Sequence, residues 1–199
     1  SKQEAEQTAD RIRALGRKAS LAQFDLDQID SLHLVVGSEV DILVNNASLF
    51  YRTPLGTVST GVWEEMINTN LRGPFFLTQS LGIRMKSRGT GKIINLGDAS
   101  THFLGGDFAP YAISKAGVEA MTRCLARALA PEVQVNAVLP GPILPASGDE
   151  AVSWDKAIER TLLKRRGYPE DIVQAVLYLL EQDYLTGVLL PVDGGRSLG

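Results

Sequence analysis

An α/β domain built on a parallel sheet, with helices on both faces, is the fold class this chain predicts. Two observations carry that reading. Short apolar runs, as at residues 40–45 and 92–96, alternate with longer stretches of helical periodicity. These runs are apolar on successive residues, as strands buried on both faces tend to be. A third observation places a site: Asp25, Asn46, Asp98 and Gly141 each follow one of these runs, and open α/β sheets bind ligands beyond the carboxyl ends of their strands.

The elements follow in order. Residues 1–15 set Ala5, Ala9, Ile12 and Leu15 among charges, an amphipathic helix that stops at Gly16. Residues 18–24 read as a strand and 27–36 as a short helix ending at Gly37. A buried strand over 40–45 leads to a long helix over 60–87, with an irregularity at Gly73-Pro74, because proline cannot donate the helical hydrogen bond. A strand at 92–96, a helix at 108–130 and a strand at 133–138 come next. Helices over 150–164 and 169–181 precede the last strand at 188–192, and Pro169 sits in the first turn of the second. No repeat, linker or low-complexity segment interrupts the chain, and residues 1–199 read as a single domain.

Composition narrows the function classes. With 44% hydrophobic and 22% charged residues, the 199-residue chain has the composition of a soluble globular protein with a sizeable core. A net charge of -3 gives no reason to expect nucleic acid or an anionic membrane as partner. Cys124 is the only cysteine, so no intrachain disulfide can form, and a reducing, cytoplasmic setting is expected. His33 and His102 lie far apart, and no metal site is expected. No apolar run reaches membrane-spanning length.

Tyr111 and Lys115 stand four residues apart, on one face of a helix. An ammonium one turn away favours the phenolate, lowers the tyrosine pKa and makes it a proton donor near neutrality. Upstream, Asp98 follows the run Ile93-Ile94-Asn95-Leu96-Gly97. A carboxylate only accepts hydrogen bonds and would repel a developing oxyanion. It therefore argues against a simple ketone or alcohol substrate. It suits an electron-poor ring with N–H groups, in which a C=N bond takes a hydride and a ring nitrogen a proton. Read without a substrate, Asp98 would cap the following turn.

Five motifs in order are Val44-Asn45-Asn46-Ala47, Asn70 in Ile67-Asn68-Thr69-Asn70-Leu71, the segment into Asp98, the Tyr111/Lys115 helix with the following Val135-Asn136-Ala137-Val138-Leu139-Pro140-Gly141-Pro142, and Pro191-Val192-Asp193-Gly194-Gly195. This set resembles the short-chain dehydrogenase/reductase family across essentially the whole chain. The resemblance implies a Rossmann-like doubly wound sheet and an NADPH-dependent oxidoreductase. It implies that Asp25 and Leu26 sit by the adenine, that Asn46, Ala47 and Ser48 line the cofactor, and that Pro140, Gly141, Pro142 and Ile143 lie against the nicotinamide. Tyr111 is implied as the acid, Lys115 as the group that binds the nicotinamide ribose, and Asn70 as the residue that holds a relay water and the active-site helix.

Most members carry Ser where this chain has Asp98. Asp98, Tyr111 and Lys115, together with Asn45-Asn46-Ala47-Ser48-Leu49-Phe50, resemble pteridine and dihydromonapterin reductases. In that subfamily the counterpart of Phe50 stacks on the pterin, and Ser1 aligns with a serine that meets the 2'-phosphate of NADP. The segment 144–154 is expected to form a substrate lid. Trp154 suits either a lid or the core, and Arg196 either the site or a solvated tail. Small residues on the 108–130 helix allow close helix approach, and the family resemblance implies a homotetramer with interfaces at that helix and at the last strand. Missing from residues 1–199 is the strand, glycine-rich turn and helix that would meet a pyrophosphate, so an N-terminal βαβ portion is expected to precede Ser1. Three functions remain open: pterin reductase, reductase of carbonyls or 3-oxoacyl thioesters, and a non-catalytic nucleotide-binding protein.

Overall fold

Among the described residues, four parallel strands cross the sheet in sequence order: β1 (Ile42–Asn45), β2 (Gly91–Leu96), β3 (Val133–Pro140) and β4 (Leu189–Val192). They belong to a computed structural model that describes residues 2–28, 39–101, 103–145 and 151–198. The register places Asn45 beside Asn95, Leu96 beside Val138 and Pro140 beside Val192, so the strand ends form one rim.

The helices are α1 (Lys2–Ala14), α2 (Thr60–Ile67), α3 (Gly73–Arg88), α4 (Ala109–Leu129), α5 (Ala151–Glu159) and α6 (Pro169–Glu181). Strand alternation sorts the core into two layers. Ile93, Val133 and Val135 face α3 and α4, where they meet Met85, Val118, Met121 and Leu125. Ile94 and Val138 face α6 and meet Leu179. Each such fully buried aliphatic side chain stabilises the fold by about 1.5–3 kcal/mol. Polar residues inside are paired: Asn95 donates to Thr122 Oγ1 at 2.9 Å and accepts from Asn45 Nδ2 at 2.8 Å.

Three expectations change. Residues 18–24 are not a strand. A strand exists through its ladder, and β1 pairs only with β2, so no strand among the described residues lies beside this segment. Phe24 and Leu26 instead pack near Leu77 and Leu81 of α3. The helix expected over 150–164 ends at Glu159. Beyond it, Leu163 donates to the Gly194 carbonyl and Lys164 takes φ 53°, a conformation no α-helix contains. The helix expected over 60–87 is split by a π-turn at Asn68–Arg72. The Gly73 N–H reaches back five residues to the Asn68 carbonyl, next to Pro74, which lacks an N–H. The helix expected over 27–36 lies largely outside the described residues, as do Ser1, His33, His102 and residues 146–150 of the expected lid.

Gly73 is required where it stands. A Cβ there would lie 2.6 Å from the Leu26 carbonyl oxygen and 2.8 Å from Leu26 Cβ. Gly73→Ala is expected to destabilise the fold by about 1–3 kcal/mol through overpacking. A urea midpoint unchanged from wild type would refute that close approach. Among the described residues no helix is long and apolar enough to cross a membrane, and no cluster of His, Cys, Asp and Glu could hold a metal ion.

Candidate active site

β2 delivers Asp98 to the rim two residues beyond Leu96. Asp98 Oδ1 accepts from the Ser100 N–H at 2.6 Å and from the Ser100 hydroxyl. Its other oxygen, Oδ2, accepts from the Tyr111 hydroxyl at 2.6 Å. Asp98 thus caps the turn and also accepts a hydrogen bond from Tyr111. Tyr111 lies in the first turn of α4, behind Pro110. Lys115 follows one turn later, 4% exposed, and its Nζ donates to the Leu96 carbonyl at 2.9 Å.

The electrostatics run opposite to the expectation from spacing. The Tyr111 pKa is raised, first by burial, then by the negative charge of Asp98, then by the hydrogen bond to it. Lys115 Nζ stands 5.9 Å from the Tyr111 ring centroid, whereas the carboxylate touches the hydroxyl. The nearer charge wins. Lys115 itself falls from 10.5 to about 8, by burial, with Asp98 partly opposing that fall.

The folded pKa of Lys115 lies below its unfolded one, so the unfolded chain binds more protons between the two and stability rises with pH across pH 8–10.5. The ammonium itself is lost above about 8. Activity that needs this cation is expected to decline above pH 8, and Lys115→Arg, which stays charged, should shift that limb upward. An identical alkaline limb in both proteins would remove Lys115 as its origin.

Asn70 sits inside the π-turn and is 2% exposed. Its Oδ1 accepts from the Leu49 N–H at 2.7 Å and from the Ser48 hydroxyl at 3.1 Å. Its Nδ2 donates to the Leu49 carbonyl and to Ser114 Oγ, both at 3.0 Å. Asn70 therefore ties the loop after β1 to the helix that carries Tyr111.

Phe50 comes from that same loop. It stacks on Phe108 with centroids 5.2 Å apart and planes 4° from parallel, and meets the Tyr111 ring edge-on at 4.7 Å. One face of Phe50 is therefore already covered. An Arg52–Asp107 ion pair and the Thr53 N–H donating to the Asp107 carbonyl at 2.6 Å hold the two segments together.

A cavity of about 260 Å³ opens in front of Asp98 and Tyr111. Phe50, Gly141 and Pro142, all anticipated, line it. Asn46, Ala47 and Ser48 lie exposed at the end of β1, and Pro140 and Ile143 bracket the end of β3. Gly141 allows β3 and β4 to close: its Cβ would lie 2.6 Å from Asp193 Cα. Asp25 and Leu26 lie outside this cavity, at the α2–α3 junction, where Asn68 donates to Asp27 Oδ1 at 2.7 Å.

Sequence reasoning missed Ser100, Leu104, Phe108 and Ala157 as lining residues and left Trp154 and Arg196 ambiguous; all six line the cavity. Ser100 carried a signal, since an Asp side chain commonly accepts from the backbone N–H two residues on.

Comparison with known proteins matches this geometry to a family. The family model described as Enoyl-(Acyl carrier protein) reductase matches residues 2–197. D-xylose 1-dehydrogenase of Caulobacter vibrioides is 36% identical over 177 residues, 86% of this chain and 71% of that protein. The chain belongs to the short-chain dehydrogenase/reductase family. The 3-oxoacyl-[acyl-carrier-protein] reductase of Thermotoga maritima is 36% identical across 78% of this chain and 65% of its own length. Among solved structures, FolM Alternative dihydrofolate reductase 1 from Brucella suis, in complex with NADP, superimposes with a TM-score of 0.91 at 30% identity, covering 100% of this chain and 82% of that one. As a short-chain dehydrogenase/reductase, the chain has the Rossmann-like parallel architecture and the oxidoreductase class of its family.

Proposed function

We propose that this protein reduces a pterin ring, dihydropterin to tetrahydropterin, at the expense of NADPH. The observation that carries the reading is the Asp98 carboxylate, set directly on the Tyr111 hydroxyl in a cavity walled by Phe50. An aminopyrimidine edge offers the N–H donors that a carboxylate accepts, and a flat heteroaromatic ring suits an aromatic wall. The likeness to the NADP-bound FolM structure supports the same cofactor and substrate class.

The residues present fit the cofactor. An ammonium has three N–H donors, and among the described residues Lys115 gives one to the Leu96 carbonyl, which leaves donors for ribose hydroxyls. When bound, NADPH supplies hydride to the carbon of a ring C=N bond. Asp98 accepts a ring N–H, and that second donor weakens its hold on the Tyr111 proton, one of the smaller causes of the raised pKa. Tyr111 then transfers its proton to the ring nitrogen. Lys115 offsets the charge left on the phenolate, and solvent returns the proton. Asn46, Ala47, Ser48 and the 140–143 segment would hold the cofactor along the rim.

A reductase of carbonyls or 3-oxoacyl thioesters is the second reading. It draws support from the Thermotoga maritima relative and from Ser100, which lines the cavity and whose hydroxyl, once turned from Asp98, would donate to an oxyanion. Loss of absorbance at the nicotinamide band with a dihydropterin, against an acetoacetyl thioester and a simple ketone, separates the two. Pterin turnover is expected. Turnover confined to the thioester or ketone would replace the first reading by the second.

Ile83 on α3, Ile113 on α4 and Val173 and Leu177 on α6 are exposed apolar side chains that assembly as a homotetramer would cover. Sedimentation of the intact protein at four chain masses is the expected result, and a monomer would exclude that assembly.

A further inference from the structure

Arg196 enters the same cavity from the turn after β4. Hydrogen bonds on either side fix its backbone. The buried Asp193 accepts from the N–H of Gly195 at 2.9 Å and of Ser197 at 2.7 Å, the two residues that flank Arg196. The Arg196 guanidinium carbon lies 5.2 Å from the centroid of the Phe103 ring.

What it lacks is an acceptor. Its Nε is buried with no hydrogen-bond partner, and no carboxylate among the described residues forms an ion pair with it. A guanidinium carries five N–H donors and accepts nothing, so a half-buried one needs an oxygen from elsewhere. Asp98 does not supply it: its charge acts on Arg196 across the cavity, but its hydrogen bonds come from Ser100 and Tyr111. The ring edge that Asp98 would read offers donors, which Arg196 cannot use. The missing oxygen is one that a molecule bound in the cavity would bring, and a substituent on the ring is placed to supply it.

We infer that Arg196 binds an oxygen-bearing substituent, hydroxyl or carboxylate, on the pterin substrate, and so sets a preference for substituted dihydropterins over the bare ring. The inference rests on the pterin reading. Asp193 is the positioning residue for this contact, because its two hydrogen bonds fix the backbone on either side of Arg196.

The test compares wild type, Arg196→Gln and Arg196→Lys by NADPH consumption on three substrates: 6-methyl-dihydropterin, whose substituent has no oxygen, dihydrobiopterin, which carries hydroxyls, and dihydrofolate, which carries carboxylates. In Arg196→Gln, the kcat/KM ratio of either oxygen-bearing substrate to the methyl compound is expected to collapse by about 10–100-fold, the size of a lost charged hydrogen bond, with the loss in KM. Arg196→Lys should recover part of the ratio. An equal loss on all three substrates would mean that Arg196 acts on the ring or only on the fold, and an unchanged ratio would mean no contact; either overturns the inference while the pterin reading stands. Failure of wild type to turn over any of the three would overturn both.

Discussion

Tyr111→Phe is expected to lower kcat for pterin reduction by about 10²–10⁴-fold, the usual contribution of one positioned proton donor. The phenyl ring keeps its contact with Phe50 and its place on α4, so folding should be intact. KM should change little, because the hydroxyl does its work only as the proton moves. The measurement is steady-state NADPH oxidation with saturating dihydropterin. A variant that keeps more than about a tenth of wild-type kcat would show that the proton comes from another group, with Ser100 the first to examine. Because burial and Asp98 raise the Tyr111 pKa, no alkaline rise in rate from a preformed phenolate is expected; the hydroxyl form is the working form across ordinary pH.

Asp98→Ser carries the second large effect, and it has two signs. Pterin turnover should fall about 10–100-fold, since a charged hydrogen bond to the ring is lost. Reduction of a ketone or 3-oxoacyl thioester should rise, because the repulsive carboxylate is replaced by a donor. The substitution is mild for the fold. A serine oxygen can still accept from the Ser100 N–H, which Asp98 now holds at 2.6 Å. Pterin turnover unaffected by the change would reduce Asp98 to a turn cap and leave the substrate assignment without its main support. The rate comparison needs both substrate classes on one preparation.

The candidate site was legible in part, and the division follows the range of the interactions. Tyr111 and Lys115 share a helix face because a helical turn fixes their distance, and sequence spacing reports that distance directly. Asp98, Asn46 and Gly141 could be placed on one rim because parallel strands put their carboxyl ends together. Phe108 and Ala157 carried no comparable signal. Each reaches the cavity through packing between elements distant in the chain.

Some segments could not be read locally at all. Residues 18–24 have strand-like composition, but a ladder needs a neighbour. The end of α5 is set by Leu163 bonding to Gly194, some thirty residues on. Gly73 reads from sequence as a helix irregularity; only the approach of Leu26 explains why no Cβ is tolerated there.

By itself, then, the amino-acid order determined the alternation of strands and helices, the helix face shared by Tyr111 and Lys115, and the presence of a carboxylate at the end of β2. These depend on periodicity and on a few residues of separation. Tertiary structure alone decided the direction of the Tyr111 pKa and the arrival of Arg196 in the cavity. The first depends on burial and on which charge lies nearer the hydroxyl, and the second on a turn that Asp193 holds. Both are set by distances in space between residues far apart in the chain, which a linear pattern does not contain.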